Sequence, residues 1–216
     1  MTNKRCFLMT AYCNTPEKQE ALKNTIINIK KYNIDIILFS HYPIKEDIQP
    51  LVRYSIYDYS NPISNIKDKS MINWKKLNKF RKKTIPFKLN TLAVDYGYAA
   101  AQQFKRGLLF ANQMDYDEVI VLNYDLEVTD KMLKDFDNNL INYDNIILKY
   151  GNDDASMYMA WFALKLKPFI KNIKSINYTD YIKTEVIVEN YLFQKFNSVN
   201  SLIIPRKKWE GENPNE

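Results

Sequence analysis

Glycine is scarce in this sequence of 216 residues, which holds only four: Gly97, Gly107, Gly151 and Gly211. They are too dispersed to form a P-loop or a dinucleotide-binding turn, because both need clustered glycines that let the backbone approach a phosphate closely. These two kinds of phosphate-binding loop are therefore excluded. A protein with this composition needs another way to hold a phosphate group.

Histidine and cysteine are also rare. His41 is the sole histidine, so a Ser-His-Asp or Cys-His arrangement would depend on it, and no nucleophile-elbow motif lies elsewhere in the chain. Cys6 and Cys13 bracket the end of one predicted strand, which favours free thiols in a reducing compartment over a disulfide framework. With so few soft ligands, a zinc site is not expected.

Long apolar runs are absent as well, since none approaches the roughly 18 residues that cross a bilayer. The short charged start leads into a strand pattern and not into the apolar core of a signal peptide. We therefore expect a cytoplasmic protein without a transmembrane segment. The length suits a single domain over 1–216, with a loose tail at about 210–216.

Positive charge exceeds negative charge, since 31 Lys and Arg against 25 Asp and Glu give a net charge of +6. This excess fits nucleic acid, an anionic membrane surface or a small anion such as a nucleotide diphosphate, and charge alone does not choose among them. Basic residues concentrate at about 65–88, which we interpret as a solvated loop, with a flap over an anionic ligand as the alternative. No nucleic-acid-reading module is recognisable, so nucleic acid is not an expected partner.

Short apolar runs alternate with helical patterns along the chain. Runs typical of strands occupy 6–9, 34–39, 55–58, 119–122 and 146–148. Helical patterns follow the N-cap residues Thr15 and Thr129, and another covers about 98–111. This alternation predicts a three-layer α/β/α domain with a mostly parallel central sheet.

Alternating polar residues follow the most apolar predicted strand. In an extended chain, residues two apart point to the same side, so Asn123, Asp125 and Glu127 are predicted to share one face. Tyr124 and Leu126 are predicted to pack on the other face. Carboxylates at the carboxyl end of a strand favour Mg²⁺ or Mn²⁺, which complete their shell with phosphate oxygens. The alternative is a solvated acidic turn before the next helix.

With these features the chain resembles the nucleotide-diphospho-sugar glycosyltransferases of the GT-A fold, particularly small family 2-like enzymes. The resemblance spans most of the chain and lies in the segments 7–15, 34–41, 97–99 and 123–125, the last at the position of the DxD motif. It implies a Rossmann-like domain that moves a sugar from a nucleotide-diphosphate sugar to an acceptor hydroxyl. A UDP-sugar is expected ahead of a GDP-sugar.

The resemblance also implies roles for individual residues. Thr10, Tyr12 and Asp58, at strand ends, would contact the nucleoside, and Asp125 would hold Mn²⁺ or Mg²⁺. Glu127 is the second metal ligand that the alternating pattern itself predicts. The chain departs from the family at Asn123, where an aspartate is usual. An amide binds a cation less well, although it can hydrogen-bond a ribose hydroxyl.

Family 2 enzymes invert the anomeric centre by direct displacement, so the resemblance implies a carboxylate base in the C-terminal third of the chain. The candidates are Glu189, which we favour, and Asp154, Asp153 and Glu185. Arg106, on the helix before the acidic motif, is a lesser candidate for phosphate contact. The aromatic segment 157–162 is expected to be mostly core, with a sugar-stacking face as the alternative. The acceptor could be a glycan, a lipid-linked molecule or a protein.

Two other functions stay open. A nucleotidyltransferase shares the α/β nucleotide crevice but normally carries a Gly-rich signature near its N-terminus, which is absent here. A non-catalytic basic module for nucleic acid or anionic glycan would use the basic segment at 65–88, and Asn123 would then mark lost activity.

Overall fold

The computed structural model describes residues 3–58, 96–149, 157–184 and 188–204. The basic segment at 65–88, the tail at 210–216 and the acids Asp153, Asp154 and Glu185 lie outside the described residues. All the other candidate site residues lie within them.

The described strands form one seven-stranded sheet. They are β1 (Arg5–Ala11), β2 (Asp35–Ser40), β3 (Tyr54–Tyr57), β4 (Glu118–Asn123), β5 (Asn145–Lys149), β6 (Met157–Lys165) and β7 (Ser201–Ile204). Their order in space is β3-β2-β1-β4-β6-β5-β7. Neighbouring strands are parallel except that β6 runs antiparallel to both β4 and β5. This confirms the predicted α/β class with a mostly parallel sheet.

Helices connect most of these strands. They are α1 (Pro16–Lys30), α2 (Tyr96–Gln113), α3 (Asp130–Leu140), α4 (Leu166–Ser175), α5 (Tyr178–Thr184) and α6 (Val188–Phe196), with a 3-10 turn at Gln49–Leu51. The Thr15 hydroxyl accepts a hydrogen bond from the Lys18 backbone N–H, and the Thr129 hydroxyl accepts one from the Met132 N–H. Both predicted N-caps are therefore confirmed.

The helices cover both faces of the sheet. Helices α1 and α3 pack on one face, against strand residues such as Phe7 and Met9. Helices α2, α4, α5 and α6 pack on the other face, against alternate residues such as Leu8. Because both faces are buried, the central strands read as continuous apolar runs and not as alternating ones.

Strands β6 and β7 have no counterpart among the predicted strands. The aromatic segment 157–162 lies in β6, where Trp161 and Phe162 are buried and Tyr158 and Met159 are partly exposed. Because β6 is antiparallel to β4, its first residues lie at the edge of the sheet where β4 ends. That edge carries the cavity described below.

The two cysteines are buried free thiols. Burial raises the pKa of both, that of Cys13 to about 12, so both stay protonated and poorly nucleophilic at neutral pH. Within the described ranges, no helix combines the length and the hydrophobicity needed to span a membrane.

Candidate functional site

A cavity of ≈ 180 Å³ opens at the edge of the sheet where β1, β2 and β4 end. In a mostly parallel α/β sheet, this carboxyl edge is where ligands bind. The strand ends contribute five lining residues, β6 contributes three and the helices contribute four: Thr10, Tyr12, His41, Asn123 and Tyr124; Tyr158, Met159 and Ala160; Ala100, Gln103, Phe104 and Glu189.

Thr10 and Asn123 form the floor of this cavity. They are direct neighbours in the parallel pair of β1 and β4. Opposed residues of parallel strands point to the same face, so both side chains lie on the face that α2 covers, in line with Leu8 and Val121. The sheet register therefore brings together two predicted site residues that are 113 positions apart in the sequence.

Tyr12 lies beyond the end of β1 within an aromatic cluster. Its ring centroid is 6.0 Å from that of His41 and 5.2 Å from that of Tyr42, both in edge-to-face contacts. The Lys18 ammonium lies 4.9 Å from the Tyr12 ring centroid. Tyr12 is buried, so its ring forms a fixed wall of the cavity.

The extended backbone predicted for Asn123, Asp125 and Glu127 ends at the first of these residues, although the Asn123 and Asp125 side chains still meet through a hydrogen bond. Strand β4 ends at Asn123, and Tyr124 and Asp125 form a turn, so the two-residue alternation of an extended chain does not continue. Tyr124, predicted to pack on the opposite face, lines the same cavity as Asn123.

The turn carries the two carboxylates toward α1. The Asn123 side-chain amide donates a hydrogen bond of 2.8 Å to Asp125 Oδ1, which keeps Asp125 beside the cavity. Asp125 and Glu127 are exposed and line a second cavity of ≈ 270 Å³, whose other wall is formed by α1 residues such as Asn24 and Asn28. Asp125 thus lies between the two cavities, whereas Glu127 faces only the second.

The donor set suits a divalent cation that is shared with a ligand. Across the part of the chain that the structure describes, no group of three or more His, Cys, Asp or Glu side chains converges as a metal cage. Mg²⁺ is commonly held by one or two carboxylates together with substrate phosphates and water, and Mn²⁺ accepts the same oxygen ligands. Asp125 fits that role, with Asn123 fixing one of its oxygens.

Asp58 and Arg106 form an ion pair. Asp58 follows β3 and is buried, and its backbone N–H donates to Ser40 O at 2.8 Å. The Arg106 guanidinium on α2 donates to Asp58 Oδ1. Both residues are described, and both lie outside the set that lines the first cavity. The Arg106 guanidinium thus contacts Asp58, beyond the end of β3.

Glu189, the residue favoured as the base from the sequence, lies in the first turn of α6 and lines the cavity. Burial is the main cause that raises the pKa of its carboxyl above the ordinary value, opposed by a hydrogen bond from its own backbone. A raised pKa is typical of a carboxylate that exchanges protons in a site.

Three lining residues with polar side chains have no site role in the sequence-based prediction: His41, Gln103 and Tyr124. His41 follows β2 directly, so its position after a buried strand is a signal that could have identified it. Gln103 is buried on α2 and donates to Phe39 O at 3.2 Å and to Ala11 O at 3.5 Å, which ties the ends of β1 and β2 together. In the sequence, the one feature that marks Gln103 as a candidate site residue is its polar side chain on the otherwise apolar face of a helix.

Comparisons with known proteins add to this geometry. No protein-family model matches the chain, and no curated protein matches its sequence. The structure of S. aureus TarS aligns with a TM-score of 0.53 at 10% identity, covering 94% of this chain and 35% of TarS. The Mn/GDP form of core-mannan synthase A from Aspergillus fumigatus aligns with a TM-score of 0.45 at 10% identity, covering 90% and 66%. The mannosyltransferase Ktr4p from S. cerevisiae aligns with a TM-score of 0.45 at 6% identity, covering 89% and 62%.

The likeness to TarS shows a shared fold. Together with the strand order, it confirms the predicted GT-A fold. At 10% identity it concerns the path of the backbone and not the site chemistry. This chain spans between 35% and 66% of the length of the three proteins compared.

Proposed function

We propose that the protein is a glycosyltransferase that moves a sugar from a nucleotide-diphosphate sugar to an acceptor hydroxyl. The observation that carries this proposal is the cavity at the carboxyl edge of a GT-A sheet. It brings Thr10, Tyr12 and Asn123 together with Glu189, a carboxylate of raised pKa. A donor pocket and a candidate base thus share one space.

The nucleoside end of the donor belongs at the ends of β1, β2 and β3. Thr10 offers a hydroxyl, and Tyr12 offers a ring held by its aromatic neighbours. Asp58 offers a buried carboxylate for a donor group of the base or ribose. The Arg106 guanidinium forms an ion pair with that carboxylate, so its role in this proposal is to position Asp58 and not to bind phosphate.

The diphosphate belongs beside Asn123 and Asp125. Asn123 reaches the cavity and can donate its second amide hydrogen to a ribose or phosphate oxygen. Asp125 would hold Mn²⁺ or Mg²⁺ together with the diphosphate, with Glu127 on its far side as the weaker candidate ligand. When bound, such a cation neutralises charge on the departing diphosphate.

Glu189 is the base in this proposal. Its carboxylate accepts the proton of the acceptor hydroxyl while the acceptor oxygen forms its bond to the anomeric carbon. The bond from that carbon to the diphosphate oxygen breaks, and its electron pair leaves with the nucleoside diphosphate. Attack from the side opposite the leaving group inverts the anomeric centre. Asp154, outside the described residues, stays a second candidate for this role.

Calorimetric titration with UDP and GDP, each with and without Mn²⁺, tests the donor site. We expect UDP to bind more tightly than GDP and Mn²⁺ to strengthen both. Asp125→Ala should weaken the Mn²⁺-dependent binding at least about tenfold, which corresponds to about 1.4 kcal/mol. Asp135→Ala, which removes a partly exposed acid in the middle of α3, is the matched control. If neither nucleotide binds under either condition, the proposed function is wrong.

A further inference from the structure

The start of β6 has an irregular geometry beside the cavity. Its pairing with β5 shifts register, since Ile147 pairs with Phe162 and Lys149 pairs with Met157. Two residues of β5 therefore span the same length as five residues of β6. A bulge of this kind re-aims side chains and is frequent beside active sites. Three consecutive residues, Tyr158, Met159 and Ala160, line the cavity beside this irregularity.

These residues overhang the cavity beyond the end of β4. The ladder between β4 and β6 ends at Leu122 and Trp161, so the residues before Trp161 project past it. Tyr158 is partly exposed toward the cavity, and it packs against the same buried cluster as Tyr124 in the turn after β4. The two tyrosines are therefore held by packing before any ligand arrives.

The chemistry of this part of the cavity is apolar and nearly uncharged. Tyr124, Tyr158, Met159 and Ala160 line it, and none of these residues carries a formal charge. Among the described lining residues, Glu189 is the one formal charge, and it is negative. Flat aromatic faces suit the C–H face of a sugar ring, and a lone carboxylate repels anions.

We infer that this part of the cavity binds the acceptor and that the acceptor is an uncharged saccharide whose ring stacks on Tyr158. A hydroxyl of that ring then points at Glu189, which removes its proton. The assignment of an acceptor rests on the proposed function. The chemistry of this part of the cavity favours a neutral glycan as the acceptor over an anionic glycan, a peptide hydroxyl or a lipid phosphate.

Saturation-transfer NMR with methyl glycosides of neutral hexoses, at saturating UDP and Mn²⁺, tests this inference. Methyl glucuronide, a Ser/Thr peptide and a soluble prenyl phosphate are compared in parallel. We expect a neutral glycoside to bind most tightly. Tyr158→Ala should weaken it about threefold to tenfold, the range that one lost aromatic contact corresponds to. Tyr158→Phe, which keeps the ring, should stay within about twofold, and Tyr143→Ala, in the turn before β5, should match the unaltered protein.

Kinetics with the best acceptor adds a second readout. Tyr158→Ala should raise the KM for the acceptor and leave the KM for the donor unchanged. A general loss of structure would alter both, and Tyr158→Phe separates the ring from the hydroxyl.

The outcomes separate the two proposals. If UDP binds but no neutral glycoside does, or if the glucuronide, peptide or prenyl phosphate binds best, the inference is overturned and the proposed function stands. Tyr158→Ala with unchanged glycoside affinity overturns it as well. If a neutral glycoside binds through Tyr158 while no nucleotide binds, the saccharide site is supported and the transferase proposal fails.

Discussion

Replacing Glu189 by glutamine separates its proposed chemistry from its effect on folding. Glutamine has nearly the same shape and the same hydrogen-bonding reach, but it cannot accept the acceptor proton at neutral pH. A positioned general base contributes about 10²-fold to 10⁴-fold in rate. We therefore expect Glu189→Gln to lower kcat by that factor and to leave the Kd for UDP unchanged, since the nucleoside binds at the strand ends.

The same substitution should stabilise the protein. Burial raises the pKa of Glu189 in the folded chain, so ionising its carboxyl costs folding free energy at any pH above the folded pKa. The penalty is absent below the ordinary carboxyl pKa, where the side chain is protonated in both states. Because the side chain is only half-buried, we expect a gain of up to about 1 kcal/mol at pH 7, or a rise in Tm of about 2–4 °C. The gain should vanish near pH 4.

Two measurements test this pair of effects: thermal unfolding of both proteins from pH 4 to pH 8, and steady-state transfer kinetics. The raised pKa also predicts that kcat/KM falls on the acid side at a higher pH than an ordinary carboxylate would give. Glu20→Gln, at an exposed position of α1, is the control and should change neither property. A Glu189→Gln protein that retains its kcat would refute the role of Glu189 as the base. A loss of stability at neutral pH would refute the account of its burial.

Two further predictions concern the scaffold of the site. A methyl group added at Gly107 would lie 2.6 Å from Leu8 Cδ1, which is too close. The cost of this overpacking exceeds the gain in helix propensity from glycine to alanine, so Gly107→Ala should destabilise the protein by about 1 kcal/mol in denaturant titration. In a Leu8→Ala protein, Gly107→Ala fills the space that the leucine side chain has left and should stabilise the fold. Equal effects of Gly107→Ala in both proteins would contradict the close packing of α2 on β1. The Asp180 carboxylate accepts hydrogen bonds from Lys195 (2.5 Å) and from Tyr191 on the helix that carries Glu189, and both bonds, the Lys195 bond first, lower its pKa. Because the Asp180 carboxylate is partly exposed and water screens the ion pair, Asp180→Asn should cost at most about 1 kcal/mol at pH 7. The cost should fall progressively as the pH falls through the Asp180 pKa, and a cost independent of pH would count against an ionic contribution.

Much of the fold follows from local patterns. Pro16 at the first helical position and the capping hydroxyls of Thr15 and Thr129 fix where α1 and α3 begin. Apolar runs predict the strands, because both faces of the sheet are buried. Strand β6 escaped prediction because its aromatic residues suit either a strand or a buried core segment, and only the β4–β6–β5 pairing decides between them.

The site is harder to predict from the sequence than the fold. Strand β4 ends at Asn123 in a turn, so the side chains of Asn123 and Asp125 meet across that turn and not along the extended strand that the sequence predicts. Tyr158 and Met159 line the cavity where the pairing of β6 with β5 shifts register, and no local pattern specifies such a shift. The pairing of Arg106 with Asp58 joins residues 48 positions apart, and sequence spacing does not reveal such a contact.

His41 offers the most direct test of the central claim that the cavity at the carboxyl edge binds a nucleotide. It is the sole histidine of the chain, it is buried, and it lines the cavity beside Tyr12. Its imidazole therefore gives one assignable signal in the ¹H–¹³C NMR spectrum of the whole protein. The account predicts that UDP with Mn²⁺ moves this signal saturably, with the Kd that calorimetry gives. A signal that stays in place while UDP is bound would put the nucleotide elsewhere and contradict the account.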